Sequence, residues 1–167
     1  CDSRGTQSTA RLEGDEWIVN GSKIFITNSA TPMTLGSTIQ VITGENNGKP
    51  EFTTFLIEND TPGFTQEAMD RKMMWRASNT GRLTFDKVRL PKENMLGTPG
   101  QGSHIMLATL DGGRLSIAAM GLGCAQGAYE MALEYSQKRE QFGKQICKFQ
   151  AVSFKLADMA MKIEAAR

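Results

Sequence analysis

The sequence has little cysteine and histidine. Its 167 residues include three widely separated cysteines, Cys1, Cys124 and Cys147, and one histidine, His104. An odd number of distant cysteines without a CxxC pair favours neither a disulfide framework nor a zinc site, so no metal ligands are predicted. His104 has no convincing nucleophile and acid beside it, so a serine-protease type of triad is not predicted either.

Excess charge of one sign and long apolar runs are also missing. Lys and Arg number 19 against 18 Asp and Glu, a net charge of +1, which argues against a nucleic-acid surface. No apolar run reaches the ~20 residues of a membrane helix, and no signal peptide opens the chain. We predict an intracellular protein with no membrane span. The missing initiator Met and a last helix that continues to Arg167 indicate a piece of a longer protein.

Short alternating segments separated by turn signals fill the first hundred residues. This pattern predicts a small antiparallel β barrel or sandwich. Asn20-Gly21, between WIV and KIFIT, is the strongest hairpin signal in the chain and is predicted to be a turn. Residues 46–48 (NNG) and 61–63 (TPG) are predicted to be two further turns.

Helical periodicity begins at Gly102. Apolar residues recur from Met106 to Tyr135, which predicts one long helix that is broken near Gly143 and followed by a second, antiparallel helix from about Phe149. Glycines inside the first helix cost roughly 1 kcal/mol each, which close packing or a ligand must offset. The predicted fold class is α+β, with a β domain over 1–97 and the first part of a truncated four-helix bundle over 98–167.

One strand of the β region carries a candidate site. On KIFITN, alternation places Phe25 and Thr27 on one face and Ile24 and Ile26 on the other. An aromatic plane beside a hydroxyl can stack on a flat conjugated ring and donate a hydrogen bond to one of its nitrogens. The alternative is an ordinary cross-strand aromatic beside a solvated threonine, which alternation alone favours.

Several motifs in one order give a family resemblance. LDGGR, a helix rich in small residues, KREQFGK and the Phe149-Gln150 pair resemble the start of the helical domain of the flavin-dependent acyl-CoA dehydrogenases, and FITN resembles their flavin-facing segment. The resemblance implies an FAD-dependent oxidoreductase of fatty acid β-oxidation that dehydrogenates an acyl-CoA thioester at its α,β bond. Within the family, LDGGRL resembles the short-chain, butyryl-CoA-like members and those that act on branched acyl chains.

The resemblance also implies site residues. Those expected to contact FAD are Phe25, Ile26, Thr27, Arg139, Gln141, Phe142 and Gln150. Those expected to contact the acyl-CoA substrate are Cys1, Asp111, Gly112, Gly113 and Arg114. Considered from the residues alone, Asp111 and Arg114 form a local i,i+3 ion pair instead.

The catalytic base is expected to lie elsewhere. Some family members carry a catalytic Glu immediately before the Arg that Arg114 matches, but Gly113 occupies that position here. Other members carry the base on a later helix, beyond Arg167. No catalytic residue is therefore predicted in this chain, which alone is expected to be inactive.

The resemblance implies a homotetramer, a dimer of dimers, that passes electrons to an electron-transfer flavoprotein in a bacterial cytoplasm or mitochondrial matrix. Two alternatives stay open. One is an acyl-CoA oxidase-like flavoenzyme, whose reduced flavin reacts directly with oxygen. The other is a non-catalytic flavin-binding, CoA-binding or assembly module.

Overall fold

The computed structural model describes residue 2 and residues 5–167. The strands are β1 Thr9–Glu13, β2 Glu16–Thr27, β3 Gly36–Asn46, β4 Lys49–Glu58, β5 Phe64–Ala68, β6 Thr80–Pro91, β7 Met95–Leu96, β8 Glu140–Gln141 and β9 Lys144–Gln145. The helices are α1 Gly102–Lys138 and α2 Gln150–Ala166. The chain divides into two compact units, Cys1–Ala108 and Thr109–Arg167. The domain bounds 1–97 and 98–167 stay a prediction.

The first unit contains a seven-stranded sheet in the order β5-β6-β2-β1-β3-β4-β7. The predicted class, a β region followed by two long helices, is confirmed. The sheet is nevertheless mixed, because β1 pairs in parallel with β3 at Thr9 and Ile42, and its strand order does not close into a barrel. Alternation in a sequence predicts strands and faces but not the direction of a neighbouring strand, so the parallel pair was not foreseen.

One apolar face of this sheet forms the core. Trp17 packs on Phe55 with ring centroids 5.4 Å apart, and Phe64 stacks on Phe85 at the same separation. Phe64 and Phe85 are paired on neighbouring strands, whereas β1 and β3 separate Trp17 on β2 from Phe55 on β4 in the sheet order. Aromatic rings bury large apolar areas in both contacts. The buried cluster comprises Ala10, Trp17, Val19, Ile39, Val41, Phe55, Ile57, Phe64, Leu83, Phe85, Val88 and Leu90.

The predicted turn at Asn20-Gly21 is wrong. The hairpin forms earlier, where Glu13 pairs with Glu16 around a two-residue loop, and β2 runs straight through Asn20 and Gly21. Gly21 is required for another reason, since an added Cβ would lie 2.7 Å from the Oγ of buried Ser8. The Asn20 side chain accepts a hydrogen bond from the backbone N of Lys87, at a bulge in β6.

The other two predicted turns are confirmed. Asn47 and Gly48 have φ values of 52° and 73° and connect β3 to β4, with Asn46 paired to Lys49. Both central residues at positive φ are typical of a type I′ hairpin. At the second turn, Phe64 N donates to Thr61 O at 3.1 Å, and the chain enters β5.

The second unit contains most of α1, a short hairpin and α2. The helix α1 ends at Lys138, five residues before the predicted break at Gly143, because the intervening residues form the β8–β9 hairpin. The turn of this hairpin has positive φ at Phe142 and Gly143. The Arg167 guanidinium donates to Gln126 Oε1 at 3.2 Å, so α2 runs back along α1 in the predicted antiparallel sense.

By length and composition alone, α1 is apolar enough to cross a membrane. Its most apolar 18-residue window has a mean hydropathy of 1.3, and none of that window is buried. Polar residues such as Asp111 and Arg114 interrupt the apolar runs of α1 but lower its mean hydropathy only a little. A criterion based on uninterrupted runs therefore does not select this helix. Core helices of soluble bundles pass the same composition test.

Candidate functional site

The end of β2 that carries Phe25 is a β-bulge. Lys23 pairs with Leu83 and Ile26 with Gly81, so two residues of β2 oppose the single residue between those partners. Phe25 has a φ of 62°, a conformation that costs a residue with a Cβ roughly 1–2 kcal/mol. Bulges redirect side chains and often lie next to active sites.

The bulge changes the predicted alternation while keeping the predicted pair exposed. Phe25 is 61% exposed and Thr27 is exposed, whereas Ile26 is half-buried and packs against the core. Ile24 is 40% exposed, so it does not share the burial of Ile26 as regular alternation required. An aromatic ring and a hydroxyl therefore both face solvent at the end of β2.

Lys23 lies just before the bulge and is half-buried. Its ammonium group forms no hydrogen bond or ion pair with another residue of the described chain. Burial lowers the pKa of its ammonium group from the ordinary 10.5, because the charged form loses hydration. Its charge therefore opposes folding fully below the lowered pKa, and this penalty disappears as the pH rises to 10.5.

Asparagines hold both ends of the loop that follows Thr27. Asn79 hydrogen-bonds to the backbone of Asn28 and Ala30 at the start of the loop. Asn59 hydrogen-bonds to the backbone of Thr34 and Leu35 at its end. Neither residue was predicted from the sequence, because no sequence pattern pairs Asn79 with a segment 49 positions away.

The segment 111–114 lies on α1. Asp111 and Arg114 form an ion pair at 3.6 Å, with both side chains more than 70% exposed, so the local pairing that the residues alone favoured is present. An added Cβ at Gly112 or Gly113 would meet no atom of the described residues within 4 Å. The same holds for Gly121, Gly123 and Gly127. Packing within the described residues therefore does not account for these helix-weakening glycines.

The remaining predicted residues lie around the β8–β9 hairpin. Phe142 is 91% exposed, has a φ of 52° and contacts Phe149 edge-on with ring centroids 6.2 Å apart. Arg139 and Gln141 are exposed beside it, and Gln150 is the first residue of α2. The hairpin and the residues that flank it thus present an aromatic ring, a guanidinium and two amides to solvent within one unit. Cys1, the remaining predicted contact, lies outside the described residues.

Two family profiles match the chain. Residues 1–88 match the profile described as "Acyl-CoA dehydrogenase, middle domain". Residues 100–167 match the profile described as "Acyl-CoA dehydrogenase, C-terminal domain". Together the two profiles cover most of the sheet and both helices.

Individual proteins are similar over nearly the whole chain. A short-chain specific acyl-CoA dehydrogenase from Megasphaera elsdenii is 47% identical over 99% of the chain and 43% of its own length. The solved butyryl-CoA dehydrogenase structure from the same organism has a TM-score of 0.91 at 46% identity, covering 98% of this chain and 43% of that one. A glutaryl-CoA dehydrogenase from Mycobacterium smegmatis in complex with FADH2 has a TM-score of 0.87 at 34% identity, covering 98% and 40%. The chain therefore spans less than half the length of these relatives.

Proposed function

The chain belongs to the acyl-CoA dehydrogenase family, and we propose that it forms the flavin-facing part of an enzyme that oxidises short-chain acyl-CoA thioesters. The observation that carries the proposal is the exposed ring of Phe25, held at positive φ on a bulge beside the exposed hydroxyl of Thr27. A strained, exposed aromatic residue contributes little to folding, and such strain is concentrated at functional sites.

These residues fit an isoalloxazine ring. Phe25 offers a flat apolar face, and Thr27 offers a hydroxyl that donates to a ring nitrogen. When bound, FAD supplies the acceptor for the hydride that leaves the β-carbon of the acyl group. Phe25 covers one face of the ring and excludes water from it, while half-buried Ile26 anchors the segment to the core.

We further propose that the hairpin residues hold FAD, largely that of a neighbouring subunit in a homotetramer. The planar guanidinium of Arg139 suits a pyrophosphate because it binds two oxygens at once. Arg139 forms no ion pair with another described residue, so its charge is available. Gln141, Phe142 and Gln150 supply amide and aromatic contacts.

The acyl-CoA substrate is assigned to Asp111, Gly112, Gly113 and Arg114, with Cys1 at the thioester. The two glycines expose bare backbone that the described residues leave uncovered, which permits close approach of a ligand. Gly113 has no side chain to remove the α-proton, and the family resemblance assigns this carboxylate to a later helix, outside this chain. On this basis the chain by itself binds but does not catalyse.

The proposed setting is fatty acid β-oxidation in a bacterial cytoplasm or a mitochondrial matrix, with an electron-transfer flavoprotein as acceptor. The similarity to short-chain and butyryl-CoA enzymes supports a short acyl chain as substrate.

The full-length protein with bound FAD tests this function. Anaerobic addition of butyryl-CoA is expected to bleach the flavin absorbance band in proportion to the flavin present. Bleaching shows that hydride has left the substrate, and a spectrum that does not change would contradict the proposal. Rapid recovery of the band in air would instead favour the oxidase alternative.

Replacement of the aromatic ring separates binding from folding. Phe25→Asn is expected to weaken FAD binding about 2-fold to 13-fold, because an aromatic contact contributes about 0.5–1.5 kcal/mol. The same substitution should leave thermal stability of the apoprotein unchanged or raise it, since asparagine tolerates positive φ better than phenylalanine. Titration of the full-length apoprotein with FAD and thermal unfolding measure the two effects.

Phe25→Trp is the matched control, because it keeps an aromatic face and should bind FAD as tightly as the wild type. Equal FAD affinity in the Asn variant and the wild type would remove Phe25 from the proposed site.

A further inference from the structure

Asn79 forms three hydrogen bonds to the residues directly after Thr27. Its backbone O accepts from Asn28 N at 3.0 Å, its Oδ1 accepts from Ala30 N at 3.0 Å, and its Nδ2 donates to Ala30 O at 3.1 Å. The side-chain amide therefore satisfies both backbone groups of Ala30. The next residue along, Thr80, pairs with Thr27 itself.

The backbone around Asn79 is itself held in place by other residues. Lys72 Nζ donates to Ser78 O and, at 3.0 Å, to Thr80 Oγ1, so it bonds to the residues on both sides of Asn79. Close packing adds to this restraint, because an added Cβ at Gly81 would lie 2.3 Å from Ser29 Oγ. The backbone on both sides of Asn79 is therefore restrained.

The segment that Asn79 contacts leaves the strand ladder within a few residues of the bulge. A bulge leaves its extra residue outside the strand ladder, and beyond this bulge only Ile26 and Thr27 still pair with β6. Asn28 then leaves the strand with a φ of 57°. Within the loop, Ser29 Oγ donates to Ile26 O at 2.9 Å and Thr34 Oγ1 donates to Asn28 O. Besides these local bonds and the core packing of Ile26, the two strand pairs and the bonds to Asn79 tie the segment to β6.

We propose that Asn79 is a positioning residue for the flavin, whose side-chain amide fixes the loop after Thr27 and thereby sets the ring of Phe25 and the hydroxyl of Thr27. This inference rests on the proposed function. It concerns a residue that acts through the backbone of Ala30 and does not itself touch the flavin.

The far end of the same loop supplies a matched control. Asn59 Nδ2 donates to the backbone O of Thr34, and Asn59 N donates to Leu35 O at 3.0 Å. Asn59 Oδ1 accepts from Gln66 Nε2 at 2.6 Å. Both asparagines therefore join the loop to the sheet with an amide that donates to a carbonyl, but only Asn79 does so next to Thr27. Substitution of either asparagine should therefore cause a similar general loss of loop stability.

The test compares Asn79→Asp and Asn59→Asp in the full-length holoenzyme. In Asn79→Asp the ionised carboxylate still accepts from Ala30 N but faces Ala30 O without a proton to donate. Protonation restores the donor, so the absorbance and fluorescence of bound flavin should depend on pH. The midpoint is expected above the ~3.9 of a free aspartate, because the facing carbonyl oxygen disfavours the charged form.

Wild type and Asn59→Asp should show no such titration over the same pH range. Asn79→Asp should also slow flavin reduction by saturating butyryl-CoA about 10-fold at neutral pH, with recovery on acidification, since small misplacements of reacting groups have large effects on rate. A structural role alone would lower stability in both variants without a pH-dependent flavin spectrum.

The outcomes separate the two proposals. Wild type that binds no FAD would overturn the proposed function and this inference with it. Wild type that binds FAD and is reduced, with Asn79→Asp and Asn59→Asp indistinguishable in their flavin spectra at every pH, would overturn the positioning role alone. If the aspartate variant does not fold, the same spectra of Asn79→Ser and Asn59→Ser decide between these outcomes.

Discussion

Gly63→Ala is expected to lower the free energy of unfolding of the first unit, which contains the seven-stranded sheet, by about 2–5 kcal/mol. Gly63 has a φ of 85°, which costs alanine roughly 1–2 kcal/mol. The added Cβ would also lie 2.2 Å from the backbone O of Asp86. Asp86 N donates to Gly63 O at 3.0 Å, so neither backbone can move away without losing this bond. Overpacking of this kind costs about 1–3 kcal/mol more.

Gly48→Ala is the matched control for this prediction. Gly48 also has positive φ, at 73°, but a Cβ there would meet no described atom within 4 Å. The expected loss of unfolding free energy in Gly48→Ala is therefore only the cost of positive φ for alanine, roughly 1–2 kcal/mol. Urea unfolding of the full-length protein, followed by circular dichroism, compares the two variants. Equal losses in both would show that the contact with Asp86 contributes nothing.

Phe55→Ala is expected to cost about 3–5 kcal/mol of unfolding free energy, the range for deleting a large aromatic side chain from a packed core. Phe55 is fully buried on the central part of β4 and lies against Trp17. Removal of the ring would leave a cavity that rigid strands on either side cannot fill. The expected readout is a lower urea midpoint with an unchanged slope.

The neighbouring residue provides the control for Phe55. Leu56 follows it on the same strand but is 40% exposed, because successive side chains point to opposite faces. Leu56→Ala should therefore cost about 1 kcal/mol, less than half the loss at Phe55. A loss at Leu56 as large as that at Phe55 would contradict the assignment of the core to one face of the sheet.

The sequence predicts turns well where the turn residues have no competing role. Asn47 and Gly48 form the predicted hairpin, whereas Asn20 and Gly21 satisfy the same rule but lie within β2. Tertiary contacts account for the difference between the two Asn-Gly pairs. Gly21 is needed where the backbone of Ser8 approaches, and Asn20 bonds to β6, neither of which a local pattern reports.

The candidate site was likewise predicted only in part from the sequence. Residue type and spacing made Phe25 and Thr27 candidates, but alternation alone favoured an ordinary cross-strand aromatic beside a solvated threonine. Only the family motifs favoured a flavin site. The positive φ of Phe25 was not foreseeable, because the bulge depends on the register between β2 and β6. Asn79 was missed because its role is defined only by contacts with a distant part of the chain.

By itself, the sequence determined the order of a β region and two long helices, two of the turns and the aromatic and hydroxyl residues at the end of β2. It did so because periodicity and turn chemistry act over a few neighbouring residues. Only the tertiary structure decided the parallel pairing of β1 with β3, the bulge that exposes Phe25 and the bonds from Asn79 to Ala30. These features depend on which strands become neighbours, and that choice follows from the packing of the whole sheet.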